Sequence, residues 1–143
     1  MYTKTIFLDR DGVINKEVSY LNKIEDFEFI NGIFDSFRYL QKLGYSLIIV
    51  TNQSGIGRGL YQLQDYQILT KWMINEFKKN NIEITDIFYC PHSPESQCNC
   101  RKPNPGMLTD AKIKHNIDMK NSWMIGDKET DIKAAHDAGI SNT

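Results

Sequence analysis

The sequence has little of what marks specialised chains. Four prolines and nine glycines are scattered through 143 residues, so no Pro/Gly/Ser-rich linker divides it and no repeat or low-complexity segment interrupts it. Three cysteines are too few, and odd in number, for a disulfide framework. The longest purely aliphatic run is Leu47 to Val50, against the roughly 20 residues a membrane-spanning helix needs. Positive charge is not in excess, with 17 Lys and Arg against 18 Asp and Glu, which argues against a polyphosphate backbone or an anionic membrane as partner. The first residues lack the unbroken apolar stretch of a secretory signal, because Lys4, Asp9, Arg10 and Asp11 fall within it. The expectation is a cytoplasmic monomer of one domain, residues 1–143, with neither nucleic acid nor membrane as partner.

What is present is ordinary for a globular chain, 41% hydrophobic and 24% charged. Four β-branched or aromatic runs read as strands: Thr5 to Leu8, Ser46 to Val50, Ile87 to Tyr89 and Ser122 to Ile125. Apolar stripes of helical period lie between them, one at Ile33, Phe34, Phe37 and Leu40, another at Tyr66, Leu69, Met73 and Phe77. Asn31 and Gly44 bracket the first helix, Asn104 and Pro105 start a third that ends near His115, and Thr130 with Gly139 brackets a fourth. Alternating strands and helices predict an α/β fold, a Rossmann-like open parallel sheet with helices on both faces. Ligands bind such sheets at the carboxyl ends of the strands.

The chemistry-bearing residues fall at those ends. After the first strand, Asp9 and Asp11 are two residues apart, which on extended chain puts their attachment points on one face about 6.5–7 Å apart. Asp9 suits a nucleophile or metal ligand and Asp11 an acid for a leaving oxygen, although acids after a strand also make solvated turns. After the second comes Thr51-Asn52-Gln53-Ser54-Gly55-Ile56-Gly57-Arg58-Gly59. Its hydroxyls, amides and glycines fit a phosphoryl group, or an ordinary Gly-rich turn, and its spacing matches neither the dinucleotide fingerprint nor the P-loop.

After the third strand, Cys90, His92, Cys98 and Cys100 form a Cys₃His set within eleven residues. That composition predicts a closed, structural Zn²⁺ site whose metal orders a loop without a core of its own. Arg101 and Lys102 follow at once, either a solvated pair or a fixed grip on a phosphate. After the fourth strand, Asp127 can complete an oxygen cage for a hard cation, and Asp131 either supports it or caps a helix. Asp9, Asp127 and a phosphate of ~2 negative charges in one pocket would repel by about 4 kcal/mol per close pair at 4 Å. Mg²⁺ is therefore the expected cofactor. His115 and His136 read as surface histidines.

Taken together, FLDRDGVIN, VTNQSGIGRG, CRKPNPGML and MIGDKETD resemble, in order, the four motifs of the haloacid dehalogenase superfamily of phosphatases. The cysteine loop and the stretch Phe27 to Gly32 narrow the resemblance to the branch of D-glycero-D-manno-heptose-1,7-bisphosphate 7-phosphatases and histidinol-phosphatases. The resemblance implies that Asp9 forms an aspartyl-phosphate, that Asp11 is acid and then base, and that Thr51 and Lys102 stabilise the transferring group. It implies Mg²⁺ on the Asp9 carboxylate, the Asp11 carbonyl and Asp127, with Arg101 and Lys128 reading the substrate. Glu17, Val18, Ser19 and Tyr20, with Asn52, Gln53 and Ser54, would line the sugar and phosphate pocket.

Only 39 residues separate Asp11 from Thr51 and 50 separate Thr51 from Lys102, so no cap domain fits and the pocket should be open, for a small, multiply charged sugar phosphate. The expected reaction removes the 7-phosphate of the heptose bisphosphate used in lipopolysaccharide precursor synthesis. Histidinol phosphate is the alternative substrate, followed by a 3′-phosphorylated polynucleotide. A non-enzymatic phospho-receiver or a zinc-loop interaction module explains fewer of the residues. Two departures from the family pattern stand out: five residues between His92 and Cys98 make a short cysteine loop, and the chain stops at Thr143, where relatives continue with another strand and helix.

Overall fold

Residues 2–143 are described in the structure, a computed structural model. Its elements are β1 (Thr5–Leu8), α1 (Ile33–Lys42), β2 (Ser46–Asn52), the one-turn α2 (Ser54–Gly57), α3 (Leu63–Lys79), β3 (Asp86–Cys90), α4 (Gly106–His115), β4 (Trp123–Ile125) and α5 (Glu129–Asp137). The strands form one parallel sheet in the order β3-β2-β1-β4. Buried parallel strands are apolar on both faces, and alternate residues point to opposite sides. Ile6, Leu8, Leu47 and Ile49 accordingly meet Phe37, Leu69, Met73 and Phe77 of α1 and α3. Phe7, Ile48, Val50 and Met124 meet Met107, Leu108, Ala111, Ala134 and Ala135 of α4 and α5. Two cores thus clamp the sheet, and the four predicted strands all form.

The local signals differ from expectation at helix starts. Gly32, at φ +85°, occupies the N-cap of α1, and Asn31 lies one residue outside it. Asn104 does not cap α4; its amide donates to the Cys98 carbonyl at 2.8 Å, and Pro105 precedes the first turn. Gly44 and Gly139, at φ +93° and +97°, do end α1 and α5, where only glycine turns left-handed without strain. Between β1 and α1 the chain forms an irregular loop, tied by Lys16 N to Glu28 O at 2.8 Å and Ile30 N to Ile14 O at 2.9 Å. After α5 it returns to β4, where Met124 N donates to Asn142 O at 3.0 Å. Among the described residues no helix is long and apolar enough to cross a membrane.

Candidate active site

The sheet register brings the predicted acids together. Asp9 N donates to Ile125 O at 3.1 Å, extending the β1–β4 ladder by one residue and setting Asp9 beside the Gly126-Asp127 turn. One oxygen each of Asp9, Asp127 and Asp131 lie within 4.8 Å of one another. Gly12, at φ +90°, sits against the Asp127 carboxylate, where any Cβ would collide with it. Only glycine lets this turn approach so closely. Burial raises the Asp9 pKa to about 6; Lys102 opposes that rise, while Asp131 and Asp11 add to it. Three carboxylate oxygens gathered this closely, one from an aspartate whose charge is disfavoured by burial, fit a hard divalent cation.

Lys102 is the cation already among them. It is 2% exposed, and its Nζ donates to Asp9 Oδ1 at 3.0 Å, Asp131 Oδ1 at 2.6 Å and Val50 O at 2.9 Å. The solvated-pair reading therefore fails for Lys102. Its backbone is held from β2, where Asn52 Oδ1 accepts from Lys102 N at 3.0 Å and Asn52 Nδ2 donates to Lys102 O at 3.1 Å. Asp131 both supports and caps: its Oδ2 accepts from Lys128 N at 3.2 Å at the start of α5. Arg101 is half-buried, and its Nη1 has no hydrogen-bond partner.

Asp11 is held by four donors. Arg10 forks onto it through Nε at 3.1 Å and Nη2 at 3.2 Å, Asn15 Nδ2 reaches Oδ1 at 3.0 Å, and Gln53 Nε2 approaches Oδ2 at 3.4 Å. Arg10 is itself buried, and its Nη2 also donates to Leu21 O at 3.2 Å, tying the loop after β1 to Asp11.

Above these groups opens a cavity of about 290 Å³, lined by Asp9, Asp11, Asn52, Ser54, Lys102, Thr130 and Asp131, and by Glu17, Val18, Ser19, Tyr20 and Lys128 at its mouth. A contiguous hollow adds Gln53 and Arg101. Lys128 Nζ meets Glu17 Oε1 at 3.3 Å, so the loop after β1 and the turn after β4 touch across the opening. Partial burial works against the Lys128 charge, but Glu17 holds its pKa above the usual lysine value. Thr51, predicted to face the phosphoryl group, is buried and is not among the residues lining either hollow; its hydroxyl accepts from Gln53 Nε2 at 2.9 Å.

Cys90, at the end of β3, gathers the cysteine loop. Cys90 Sγ lies 3.5 Å from Cys98 Sγ and 3.4 Å from His92 Nδ1; Cys100 Sγ lies 3.7 Å from Cys98 Sγ and 3.3 Å from His92 Nδ1. A tetrahedral zinc with bonds near 2.0–2.3 Å requires ligand separations of about 3.5–3.8 Å. The four residues therefore fit the ion.

The structure brings the predicted acids, Lys102 and the cysteine set to the expected places and corrects other readings. Two of the glycines after β2 keep their amides from the pocket: Gly57 N donates to Pro91 O at 2.8 Å, against the cysteine loop, and Gly59 N to Ile56 O at 3.1 Å. His115 is not a free surface residue; its Nε2 pairs with Asp86 Oδ2 at 2.8 Å, because the end of α4 packs beside the start of β3. His136 is exposed. Sequence reasoning missed Arg10, Asn15 and Tyr61, whose hydrogen bonds lie behind the site, and used Thr130 only as a helix signal. The sequence showed only an arginine flanked by two acids; its burial, which demands a partner for the charge, appears in the structure alone.

A parallel sheet with a strand-end aspartate pair, a buried lysine and a further acid after the last strand is the arrangement of the haloacid dehalogenase type of phosphatase. The family described as "HAD-hyrolase-like" matches residues 99–142. D-glycero-alpha-D-manno-heptose-1,7-bisphosphate 7-phosphatase of Photorhabdus laumondii is 50% identical, over 96% of this chain and 79% of its own length. The enzyme of that name from Campylobacter jejuni is 51% identical, over 98% and 80%. The D-glycero-beta-D-manno-heptose-1,7-bisphosphate 7-phosphatase of Vibrio cholerae is 46% identical, over 98% and 79%. Among solved structures, D,D-heptose 1,7-bisphosphate phosphatase from B. bronchiseptica, complexed with magnesium and phosphate, superposes with a TM-score of 0.92 at 30% identity, over 98% of this chain and 79% of its own. The chain is a phosphatase and belongs to the heptose-1,7-bisphosphate 7-phosphatase family of HAD-like hydrolases.

Proposed function

We propose that this phosphatase removes the 7-phosphate of D-glycero-D-manno-heptose 1,7-bisphosphate through an aspartyl-phosphate on Asp9, with Mg²⁺ in the acid cage and Zn²⁺ in the cysteine loop. The carrying observation is Asp9 itself, a buried carboxylate on the cavity floor, beside Lys102 at 3.0 Å and within reach of Asp127. Its carboxylate attacks phosphorus while the ester P–O bond breaks, and Asp11 gives the departing sugar oxygen a proton. Asp11 then takes a proton from water, whose oxygen attacks phosphorus and releases inorganic phosphate and free Asp9. Lys102 and Thr51 hold oxygens of the group in transfer. Mg²⁺, held by Asp9, Asp127 and the Asp11 carbonyl, would neutralise the charge that otherwise repels a phosphate from a carboxylate.

The rim supports the choice of substrate. Lys128 at the mouth, paired there with Glu17, and Arg101 in the adjoining hollow bring net positive charge near the substrate, which suits a second phosphate better than the cationic imidazole-amine of histidinol phosphate. The cavity is too small and too local to track a polynucleotide strand. We read residues 1–143 as one phosphatase domain, a cytoplasmic monomer acting on a small sugar phosphate, without nucleic acid or membrane as partner.

Phosphate release from both anomers of the heptose bisphosphate, histidinol phosphate and 3′-phosphorylated DNA tests reaction and substrate together. Turnover is expected on a heptose bisphosphate and is expected to vanish in Asp9→Asn with the fold intact. Equal turnover by Asp9→Asn would refute the nucleophile, and preference for histidinol phosphate would refute the substrate.

A further inference from the structure

Behind Thr51 and Asp11 lies a hydrogen-bonded pair with no direct part in the chemistry above. Tyr61 follows α2, and its ring lies on Gly55, where an added Cβ would strike the ring carbons. The Tyr61 hydroxyl donates to Gln53 Oε1 at 2.5 Å. Gln53 Nε2 in turn donates to Thr51 Oγ1 at 2.9 Å and Asp11 Oδ2 at 3.4 Å. Tyr61 is 7% exposed and Gln53 3%, so little water competes for these bonds.

The chemistry of each group sets the direction of the chain. A phenol donates to an amide oxygen, so with Tyr61 on Oε1 the Gln53 amide can turn only its NH₂ toward Thr51 and Asp11. Burial raises the Tyr61 pKa to about 12, so the phenol keeps the proton it donates. Thr51 Oγ1 already accepts from Gln53, and its own proton has only a long 3.5 Å contact with Asn52 O among its described bonds. With no shorter acceptor among the described residues, that proton is the one Thr51 can turn to the phosphoryl group in the reaction proposed above. We infer that Tyr61, acting through Gln53, is a positioning residue that fixes hydrogen-bond polarity at the site, making Thr51 a donor to the transferring phosphoryl group and holding Asp11 in place. The inference rests on the reaction proposed above, in which Thr51 and Asp11 serve the phosphoryl group and the leaving oxygen.

Tyr61→Phe removes one hydroxyl and keeps the ring on Gly55. On the heptose bisphosphate its kcat is expected to fall about tenfold, the cost of about one buried hydrogen bond, with KM within about twofold. Gln53→Glu turns an acceptor toward Thr51 and is expected to lose about a hundredfold in kcat, more than Gln53→Met. Because Tyr61 acts only through the amide, Tyr61→Phe added to Gln53→Met should cost nothing further, whereas independent structural defects would multiply. Wild type and Asp9→Asn run beside these variants. Melting temperatures check folding, and the Gln53 pair decides the matter should Tyr61→Phe melt early. With wild type active and Asp9→Asn inactive, the proposed reaction stands. Then Tyr61→Phe within twofold of wild type, Gln53→Glu no worse than Gln53→Met, or a double variant whose loss is the product of the single losses overturns the relay. An inactive wild type overturns the reaction, and the relay with it.

Discussion

Lys102 balances the buried charge of the site, since its single ammonium faces Asp9 and Asp131 at 3.0 and 2.6 Å with almost no solvent access. Removing one partner of a buried ion pair costs about 3–5 kcal/mol because the other charge is left uncompensated. Lys102→Met is therefore expected to lower the unfolding free energy by that order, read as a lower urea midpoint, as well as abolish turnover; an unchanged midpoint would mean that the acids are neutralised some other way. Asp9 adds a pH dependence. In metal-free protein its pKa is about 6 against 3.8 for the ordinary side chain, so the folded state binds the proton more tightly than the unfolded one. Its contribution to stability is present below about pH 4 and lost as pH rises through about 6. A cation must displace that proton. Mg²⁺ should raise the melting temperature more at pH 7 than at pH 5, and equal shifts at both values would count against Asp9 as a ligand. That Asp9 and Asp11 share a cavity was legible in the sequence because both directly follow the end of β1, where ligands bind such sheets. The Arg10, Asn15 and Gln53 bonds to Asp11 were not, because they depend on loop paths that no local pattern encodes.

At the scale of elements, the loop from β3 to α4 delivers Lys102 to a strand it is not part of. Four ties fix it: the cysteine set, the Asn52 clamp, Gly57 N to Pro91 O at 2.8 Å, and Gly106 N to Asn99 O at 3.0 Å. At Gly57 an added Cβ would meet the Pro91 carbonyl, a backbone group that cannot swing aside. Gly57→Ala is expected to cost about 1–3 kcal/mol, as overpacking does, and to speed zinc loss to a chelator. A variant as stable and as zinc-tight as wild type would show the loop to be free of α2. The strands and long helices were legible because buried strands are apolar runs and α3 carries a clear stripe. The cap of α1 and the one-turn α2 were not: left-handed Gly32 leaves no capping side chain to read, and a four-residue helix has no period.

For the whole molecule, the two metal sites should differ in kind, and that difference can be measured. The cysteine set offers three thiolates and an imidazole, a closed shell with no room for water, and part of its binding energy is the ordering energy of the loop. The acid set offers a few oxygens in a cavity open to solvent, where a bound magnesium would keep some of its water and would exchange more readily. Both sets draw on strand ends that chain order separates, so residue types and spacing reveal the ligands, while only the family resemblance pointed to Lys102, two residues past the last thiolate, as a member of the acid site. Brief treatment with a weak chelator should therefore abolish turnover while about one zinc per chain stays bound, and added Mg²⁺ should restore it. Longer treatment with a strong chelator should strip the zinc, free the loop that holds Lys102, and leave an enzyme that Mg²⁺ alone does not rescue. Metal content and turnover followed on one sample separate the cases: turnover that survives the weak chelator would remove Mg²⁺ from the reaction, and full activity without zinc would make the cysteine loop dispensable for placing Lys102.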